Sequence, residues 1–256
     1  MIFVHLGAGA ADLDISSKYI CGVTEFIKNK LKENEKHEVF LIEANPINIE
    51  KLKESYKNFN NIKIFNIGVT NNNSKKIEFY FAEDDLPHYQ TCSMNFENIK
   101  IHKPFSKISS FKIDAIHIQK FLEKNNIKKI DYLFIDLEGI DFEILSSINF
   151  KKVDIRNISI EYITLGSRKK KLINFLLYRG YSYCGYGYDH SRFDFLFKKK
   201  VIIWNMIFSN FLHFIDHRHI KIFNYLIFDK DITDVFSLKK ILYYFILRLK
   251  KKFKKI

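Results

Sequence analysis

Three features of this sequence have the residue types and spacing for chemistry: the glycine turn Gly7-Ala8-Gly9, the acid Glu43, and the pair Asp136 and Glu138 in Asp136-Leu137-Glu138-Gly139. A glycine turn directly after a strand lets the backbone approach a ligand closely and turns main-chain N–H groups and a helix N-terminus toward it. A carboxylate at the end of the next strand accepts hydrogen bonds from both ribose hydroxyls of an adenosine cofactor. Alone, Gly-Ala-Gly is a weak signal, because a plain tight turn needs the same residues. Its order with Glu43 is what points to a nucleotide-type site. Dinucleotide dehydrogenases share both features, and Asp136 and Glu138 are the discriminator. Carboxylates at the end of a fourth buried strand stand where the crevice of such a sheet opens; there they can bind an amino group, orient an acceptor, or take a proton from an attacking hydroxyl. The competing structural reading is that both cap the helix beginning near Ile140, where negative charge is favoured.

The elements that must position these groups follow an α/β pattern. Ile2 to Leu6 reads as the first strand, and Val23, Phe26, Ile27 and Leu31 recur at helical spacing. Val39 to Ile42 predicts a second strand, closed by Glu43-Ala44-Asn45-Pro46, in which Asn45 suits a helix N-cap and Pro46 the first helical position. Ile49, Leu52 and Tyr56 give that helix its apolar face. Ile62 to Ile67 predicts a third strand, and Asn71-Asn72-Asn73 turns into the alternating run Lys76 to Phe81. Phe111 to Ile118, a short helix through Phe121 and Leu122, and the strands Tyr132 to Ile135 and Asp154 to Tyr162 follow. Leu172 to Leu177 lies on a helix, and Tyr181 to Tyr188 with Phe193 to Phe197 predicts a terminal antiparallel pair. Asp84 to Ser110 reads as one long polar loop, a candidate lid whose His88, Tyr89, Cys92 and Ser93 would line an acceptor pocket, with His88 and Ser93 as the substrate candidates. Because the first strand starts at residue 2, cover for the site is expected from this loop or from the C-terminal tail.

Taken in order, VHLGAGA (4–10), VFLIEANP (39–46), IKIFNIGV (62–69), IDYLFIDLEGIDFEIL (130–145) and ISIEY (158–162) resemble the FkbM family of methyltransferases, over residues 2 to 198 or so. The resemblance implies a class I methyltransferase (Rossmann-like) fold: a mostly parallel seven-stranded sheet flanked by helices. It implies S-adenosylmethionine as methyl donor, and O-methylation of a hydroxyl, commonly on a sugar of a bacterial surface glycan or a related metabolite. It places His5, Gly7, Ala8, Gly9, Glu43, Ala44, Gly68 and Asp136 around the cofactor, and Asp136 with Glu138 in catalysis. This chain departs from the family pattern at His5, where an acid usually precedes the turn, at Ala11 in place of a third glycine, at Gln119 in place of Asp, and at Phe134 in place of Lys. A histidine cannot act as a carboxylate toward the methionine amino group.

Composition bounds the class. The 256 residues suit one catalytic domain, 1–199, with a basic, aromatic helical extension over 200–256. Cys21, Cys92 and Cys184 are odd in number and lack C-x-x-C spacing, which argues against a disulfide framework or structural zinc and for the cytoplasm. The N-terminus lacks a signal-peptide pattern, and no apolar run reaches the roughly 18 residues of a spanning helix. Of the formal net charge of +13, eight cations fall between Phe236 and Ile256, a stretch without an acid, so the main body is only mildly basic.

In that stretch Leu238, Ile241, Leu242, Phe245, Ile246, Leu249 and Phe253 follow helical spacing. This is the pattern of a helix lying on an anionic membrane surface, peripheral at its inner face, where a lipid-linked glycan acceptor would be met. The same stripe fits a helix docked on its own domain or on a second subunit of an oligomer. His213, Asp216, His217 and His219 resemble a metal cluster, but nothing ties them to the catalytic strands and interface positions are the favoured reading. Asp136, Glu138 and Glu161 have the donors for a divalent cation without a spacing that commits to one, so the metal stays open. Two other readings stand beside the O-methyltransferase. An RNA methyltransferase is suggested by the charge, but base-methylating forms carry Asn/Asp-Pro-Pro-aromatic where this chain has Asp136-Leu137-Glu138-Gly139, which disfavours a nucleic acid partner. A non-catalytic adapter retaining the fold is the third.

Overall fold

In the computed structural model, which describes residues 1–13, 21–84, 92–190 and 192–199, the short apolar runs become strands and the helical spacings become helices. The first strand, β1 (Ile2–Leu6), leads through the glycine turn to α1 (Gly22–Glu33), which buries Val23, Ile27 and Leu31. Next come β2 (Glu38–Glu43) and α2 (Pro46–Ser55), whose start follows expectation: the Asn45 side chain accepts the Ile47 N–H at 3.1 Å, and Pro46 sits in the first turn, where a missing N–H costs nothing. They are followed by β3 (Ile62–Asn66), β4 (Gly68–Thr70), β5 (Lys76–Ala82), α3 (Phe96–His102), β6 (Ile108–His117) and α4 (Ile118–Lys124). The remainder is β7 (Lys129–Ile135), α5 (Asp141–Ser147), β8 (Asp154–Glu161), α6 (Arg168–Leu177), β9 (Tyr181–Tyr186) and β10 (Asp194–Lys199).

Seven strands form one sheet in the order β3-β2-β1-β7-β8-β10-β9. Every neighbouring pair from β3 to β8 is parallel, and β10 runs antiparallel to both β8 and β9, the terminal pair read from the sequence. Such a sheet is buried on both faces. Val4 and Leu6 of β1 point into a core with α4, α5 and α6 (Ile118, Phe121, Ile144, Leu172), whereas Phe3 points into a second core with α1 and α2 (Ile27, Leu31, Leu52). The strand order reverses between β1 and β7, so the crevice at their carboxyl ends is where a ligand of this architecture belongs. The order, with its antiparallel β10 between β8 and β9, is that of the class I methyltransferases.

The structure corrects the reading of residues 84 to 110 as a single loop. Asn95 caps α3 by accepting the Glu97 N–H at 3.1 Å, and β6 begins at Ile108. β6 pairs antiparallel with β5 from Lys76↔Asp114 to Ala82↔Ile108 and parallel with β4, giving a second, three-stranded sheet. The segment Phe111 to Ile118 read from the sequence forms most of β6, which extends three residues further back into the expected loop. No helix among the described residues is long and apolar enough to cross a membrane. The extension 200–256 with its histidines, and also His88 and Tyr89, lie outside the described residues.

Candidate active site

Sheet register brings the predicted groups into one row. Leu6 is paired with Ile42 on one side and Ile135 on the other, and Ile135 with Ile160. One residue further along each strand stand Gly7, Glu43, Asp136 and Glu161, side by side at the carboxyl edge. Glu161 in turn pairs with Asp194 of β10.

At the β1–β2 end of the row the backbone does most of the work. Gly7 has φ +78°, and a Cβ there would lie 1.7 Å from the Asp136 carbonyl oxygen, so this glycine is required by the close passage of the turn over β7. Gly9, at φ +57°, faces open space, and a Cβ would meet nothing within 4 Å. The turn's N–H groups are used inside the protein, contrary to the expectation that they meet a ligand. Gly7 and Ala8 both donate to the Ile42 carbonyl, at 2.9 and 3.1 Å, and Gly9 donates to Glu43 Oε2 at 2.7 Å. A pyrophosphate needs such donors free, so this turn does not suit a dinucleotide. Glu43 Oε1 accepts the Asn45 N–H at 2.7 Å. Burial raises the Glu43 carboxyl, and the N–H groups of Asn45 and Gly9 with the Asn48 side chain pull it only part of the way back.

A carboxylate has about four acceptor positions, so these donors leave Glu43 capacity for a ribose hydroxyl. Beside it, Asn45 Nδ2 and Asn48 Oδ1 are buried with no protein partner among the described residues, which fits a polar ligand completing the corner. Ala44 has its carbonyl held by Asn66 Nδ2 at 3.0 Å, and Asn66 holds the Glu43 carbonyl at the same distance. Beyond the turn, Asp12 is fixed by Lys28 at 2.5 Å and by the Ser55 hydroxyl, and Ala11 occupies a left-handed conformation (φ +57°) that a glycine would hold without strain.

The β7–β8 end is acidic. Asp136 is an exposed residue, whereas Asp141 and Glu161 are buried, and one carboxylate oxygen of each lies within 4.8 Å of the other two. Desolvation by the surrounding protein holds the Asp136 carboxyl well above its ordinary value, and Glu161, Glu138, Asp194 and Asp141 add to the rise. Burial, followed by Asp141 and Glu138, brings Glu161 up to about 9. Asp194 is pushed up to about 7, mainly by burial and against the Ser159 hydroxyl, which donates to it at 2.8 Å. Asp141 is raised by burial to about 6. Its Oδ1 accepts the Leu137 N–H at 2.7 Å and its Oδ2 the Gly139 N–H at 3.0 Å. Asp141 thus holds the turn that leads into α5, whose N-cap Ile140 makes no side-chain cap hydrogen bond. Asp136, Asp141 and Glu161 have the oxygen donors for a hard divalent cation, which would share Asp141 with two N–H groups and Glu161 with the Thr164 hydroxyl at 3.0 Å.

Other predicted residues are placed less directly. His5 is buried edge-on to Phe134 with ring centroids 5.6 Å apart, and desolvation lowers its imidazole to about 4, so it is neutral near pH 7. Gly68 opens β4, where a Cβ would lie 2.2 Å from Ile77 Cδ1; its small size serves the packing of β4 on β5. Gln119 lies on α4 and accepts the Asn149 N–H at 2.9 Å. Ser93 is fully buried and donates to the Glu138 carbonyl at 2.9 Å. Cys92 precedes it, its thiol pushed up by burial and by the charges of Glu43 and Glu138. Asp141 and Asp194 were not picked out by sequence reasoning; Asp141 had a legible signal, an acid two residues past Gly139 at a helix start.

The sequence profile described as "Methyltransferase FkbM domain" matches residues 8–183. None of the curated proteins matches this chain. Solved structures similar to it include a Methanococcus jannaschii fibrillarin pre-rRNA processing protein, at 14% identity and TM-score 0.41, covering 77% of this chain and 66% of that one. A precorrin-6y C5,15-methyltransferase from Geobacter metallireducens is similar at 13% identity and TM-score 0.37, covering 77% of each. M. capricolum TrmK, in complex with S-adenosyl-homocysteine, is similar at 12% identity and TM-score 0.39, covering all of this chain and 90% of that one. These likenesses are distant, and the fold assignment rests on the strand order.

Proposed function

Since the chain belongs to the FkbM methyltransferase family and S-adenosylmethionine is its methyl donor, we propose that it is an O-methyltransferase acting on a hydroxyl of a sugar, in a bacterial surface glycan or related metabolite. The observation that carries this reading is the acidic row end, with Asp136 open in a crevice among carboxylates. A hydroxyl needs a base to lose its proton as its oxygen attacks the donor methyl, and a carboxyl raised above its ordinary value is a stronger base than a normal one. The chain has Asp136-Leu137-Glu138-Gly139 where base-methylating enzymes carry Asn/Asp-Pro-Pro-aromatic, which favours a sugar over RNA.

In this reading Glu43, with Asn45 and Asn48, binds the ribose side of S-adenosylmethionine, and the open flank of Gly9 admits it. Gly7, Ala8, Ala44 and Gly68 shape the surrounding backbone, and neutral His5 contributes a ring wall in place of a charge. Asp136 accepts the acceptor proton, and Glu138 orients the hydroxyl for in-line attack. When bound, the donor supplies the electrophilic methyl. Cys92 and Ser93 lie on the acceptor side, and His88 belongs to the same stretch of sequence. We place the protein in the cytoplasm, with the 236–256 stripe on an anionic membrane face that presents a lipid-linked acceptor.

The deciding assay is transfer of labelled methyl from S-adenosylmethionine to surface-glycan extracts, beside an Asp136→Ala control. Label in glycan that the control lacks supports the reading; label in RNA, or none with any acceptor, defeats it. For the tail, binding to anionic liposomes should vanish on truncation after Lys200, and retained binding would refute the membrane contact.

A further inference from the structure

The turn after β7 holds a non-glycine residue in the left-handed region. Glu138 sits at φ +51°, in the left-handed region that a glycine would occupy freely, and it is followed by Gly139 at φ +105°. Three side chains from outside the turn hold it in this shape. Asp141 accepts the Leu137 and Gly139 N–H groups at 2.7 and 3.0 Å. Arg168 of α6 donates from Nη2 to the Gly139 carbonyl at 2.9 Å and is itself braced by Glu143 at 2.5 Å. Ser93 donates to the carbonyl of Glu138 itself, at 2.9 Å.

Ser93 is anchored as firmly as the turn it holds. Its side chain is fully buried, and its Oγ accepts the Asn95 N–H at 3.0 Å. Its backbone exchanges two hydrogen bonds with Tyr80 of β5, at 2.8 and 3.0 Å. An unbroken set of contacts therefore runs from the second sheet through Ser93 to Glu138. A non-glycine residue kept in a costly conformation, and pinned there by a distant element, is the arrangement expected when the direction of its side chain matters.

We propose that Ser93 is a positioning residue for Glu138: it couples the segment 92–95 and the second sheet to the acid-bearing turn, so that the acceptor-side cover and the turn act as one unit whose shape Asp141 sets. The proposal rests on the site role given above to Glu138. It gives Ser93 a different task from the substrate contact expected from the sequence.

The test uses the full chain and two independent readouts. In Ser93→Ala, amide hydrogen exchange at 137–139 should rise about tenfold or more while β1 and β2 stay unchanged. Methyl transfer from labelled S-adenosylmethionine to glycan extract should fall about tenfold to a hundredfold in kcat, with the KM for S-adenosylmethionine within about twofold of wild type. Ser93→Thr keeps the hydroxyl and should restore both, and Ser93→Cys, a weaker donor of similar size, reads the same clamp if the alanine variant does not fold. Wild-type exchange at 137–139 in Ser93→Ala overturns the clamp; faster exchange with unchanged kcat overturns the positioning role. The exchange readout needs no acceptor, so an error in the acceptor class leaves it standing. Glu138→Gly relieves the left-handed strain and should fold at least as well as wild type while losing turnover. A fully active Glu138→Gly protein would remove Glu138 from the site and the inference with it.

Discussion

The two ends of the carboxyl-edge row are built on opposite principles. At the β1–β2 end, main-chain N–H groups find protein acceptors and the one carboxylate, Glu43, holds two of them at 2.7 Å. At the β7–β8 end, Asp136, Asp141 and Glu161 are crowded within 4.8 Å and their carboxyls are all raised. The first end sets one buried carboxylate against main-chain donors; the second crowds several carboxyls that burial and like charge raise together. On the proposed division of donor binding and chemistry along this edge, substitutions at the two ends should fail in different ways.

The largest difference is expected for Asp136→Asn, which should lower methyl transfer by about a hundredfold to ten-thousandfold, the usual worth of a general base, with little change in S-adenosylmethionine affinity by calorimetry. Loss of donor affinity instead would merge the two ends into one. Glu43→Ala should do the reverse, weakening donor binding by about tenfold to a hundredfold, since hydrogen bonds to a charged group are worth about 1.5–3 kcal/mol each. It should also lower Tm, because the Gly9 and Asn45 N–H groups lose their acceptor.

The glycines sharpen the binding end. Gly7→Ala places a Cβ 1.7 Å from the Asp136 carbonyl and should prevent the native turn from forming, whereas Gly9→Ala meets open space. The second substitution should therefore cost only about 1–2 kcal/mol of stability, for the left-handed backbone, with its main effect on donor binding. Equal melting curves for the two variants would contradict this assignment.

The smallest effect is a pH dependence. Glu161 moves from an ordinary 4.5 to about 9 on folding, so between these values the folded state binds more protons than the unfolded chain and stability falls as pH rises. Glu161→Gln should flatten that decline in thermal melts. It should also move the acid limb of the rate profile to lower pH, because Asp136 loses a neighbour that raises it. An unshifted limb would uncouple Glu161 from the reacting corner.

Much of the fold was legible because its signals are local. β1 matches the expected strand Ile2 to Leu6, and α2 starts at the predicted Asn45-Pro46 cap. A mostly parallel α/β sheet follows from the alternation of apolar runs and helical spacings, and its seven strands match what the family resemblance implied. The segments Lys76 to Phe81 and Phe111 to Ile118 were picked out, but α3, the first residues of β6 and the pairing into a second sheet were missed, because pairing is fixed between strands rather than within one. At the site, Gly7, Gly9, Glu43 and Asp136 could be named because each follows a strand end. The use of Ser93 could not, because it satisfies a carbonyl of a turn that takes shape only in the folded chain, and Asp141 offered a local signal, an acid at a helix start, without showing that it holds the Leu137 and Gly139 N–H groups.

By itself, then, the sequence determined which segments become strands, which glycines can turn, and which acids end a strand, since these depend on side-chain type and near neighbours. Tertiary structure alone decided that Gly7, Glu43, Asp136 and Glu161 stand in one row, because register is fixed by hydrogen bonds between strands far apart in the chain. It also decided that the glycine turn spends its N–H groups within the protein and that the carboxyls at the other end are raised, since burial and like charge act only on groups that folding has brought together.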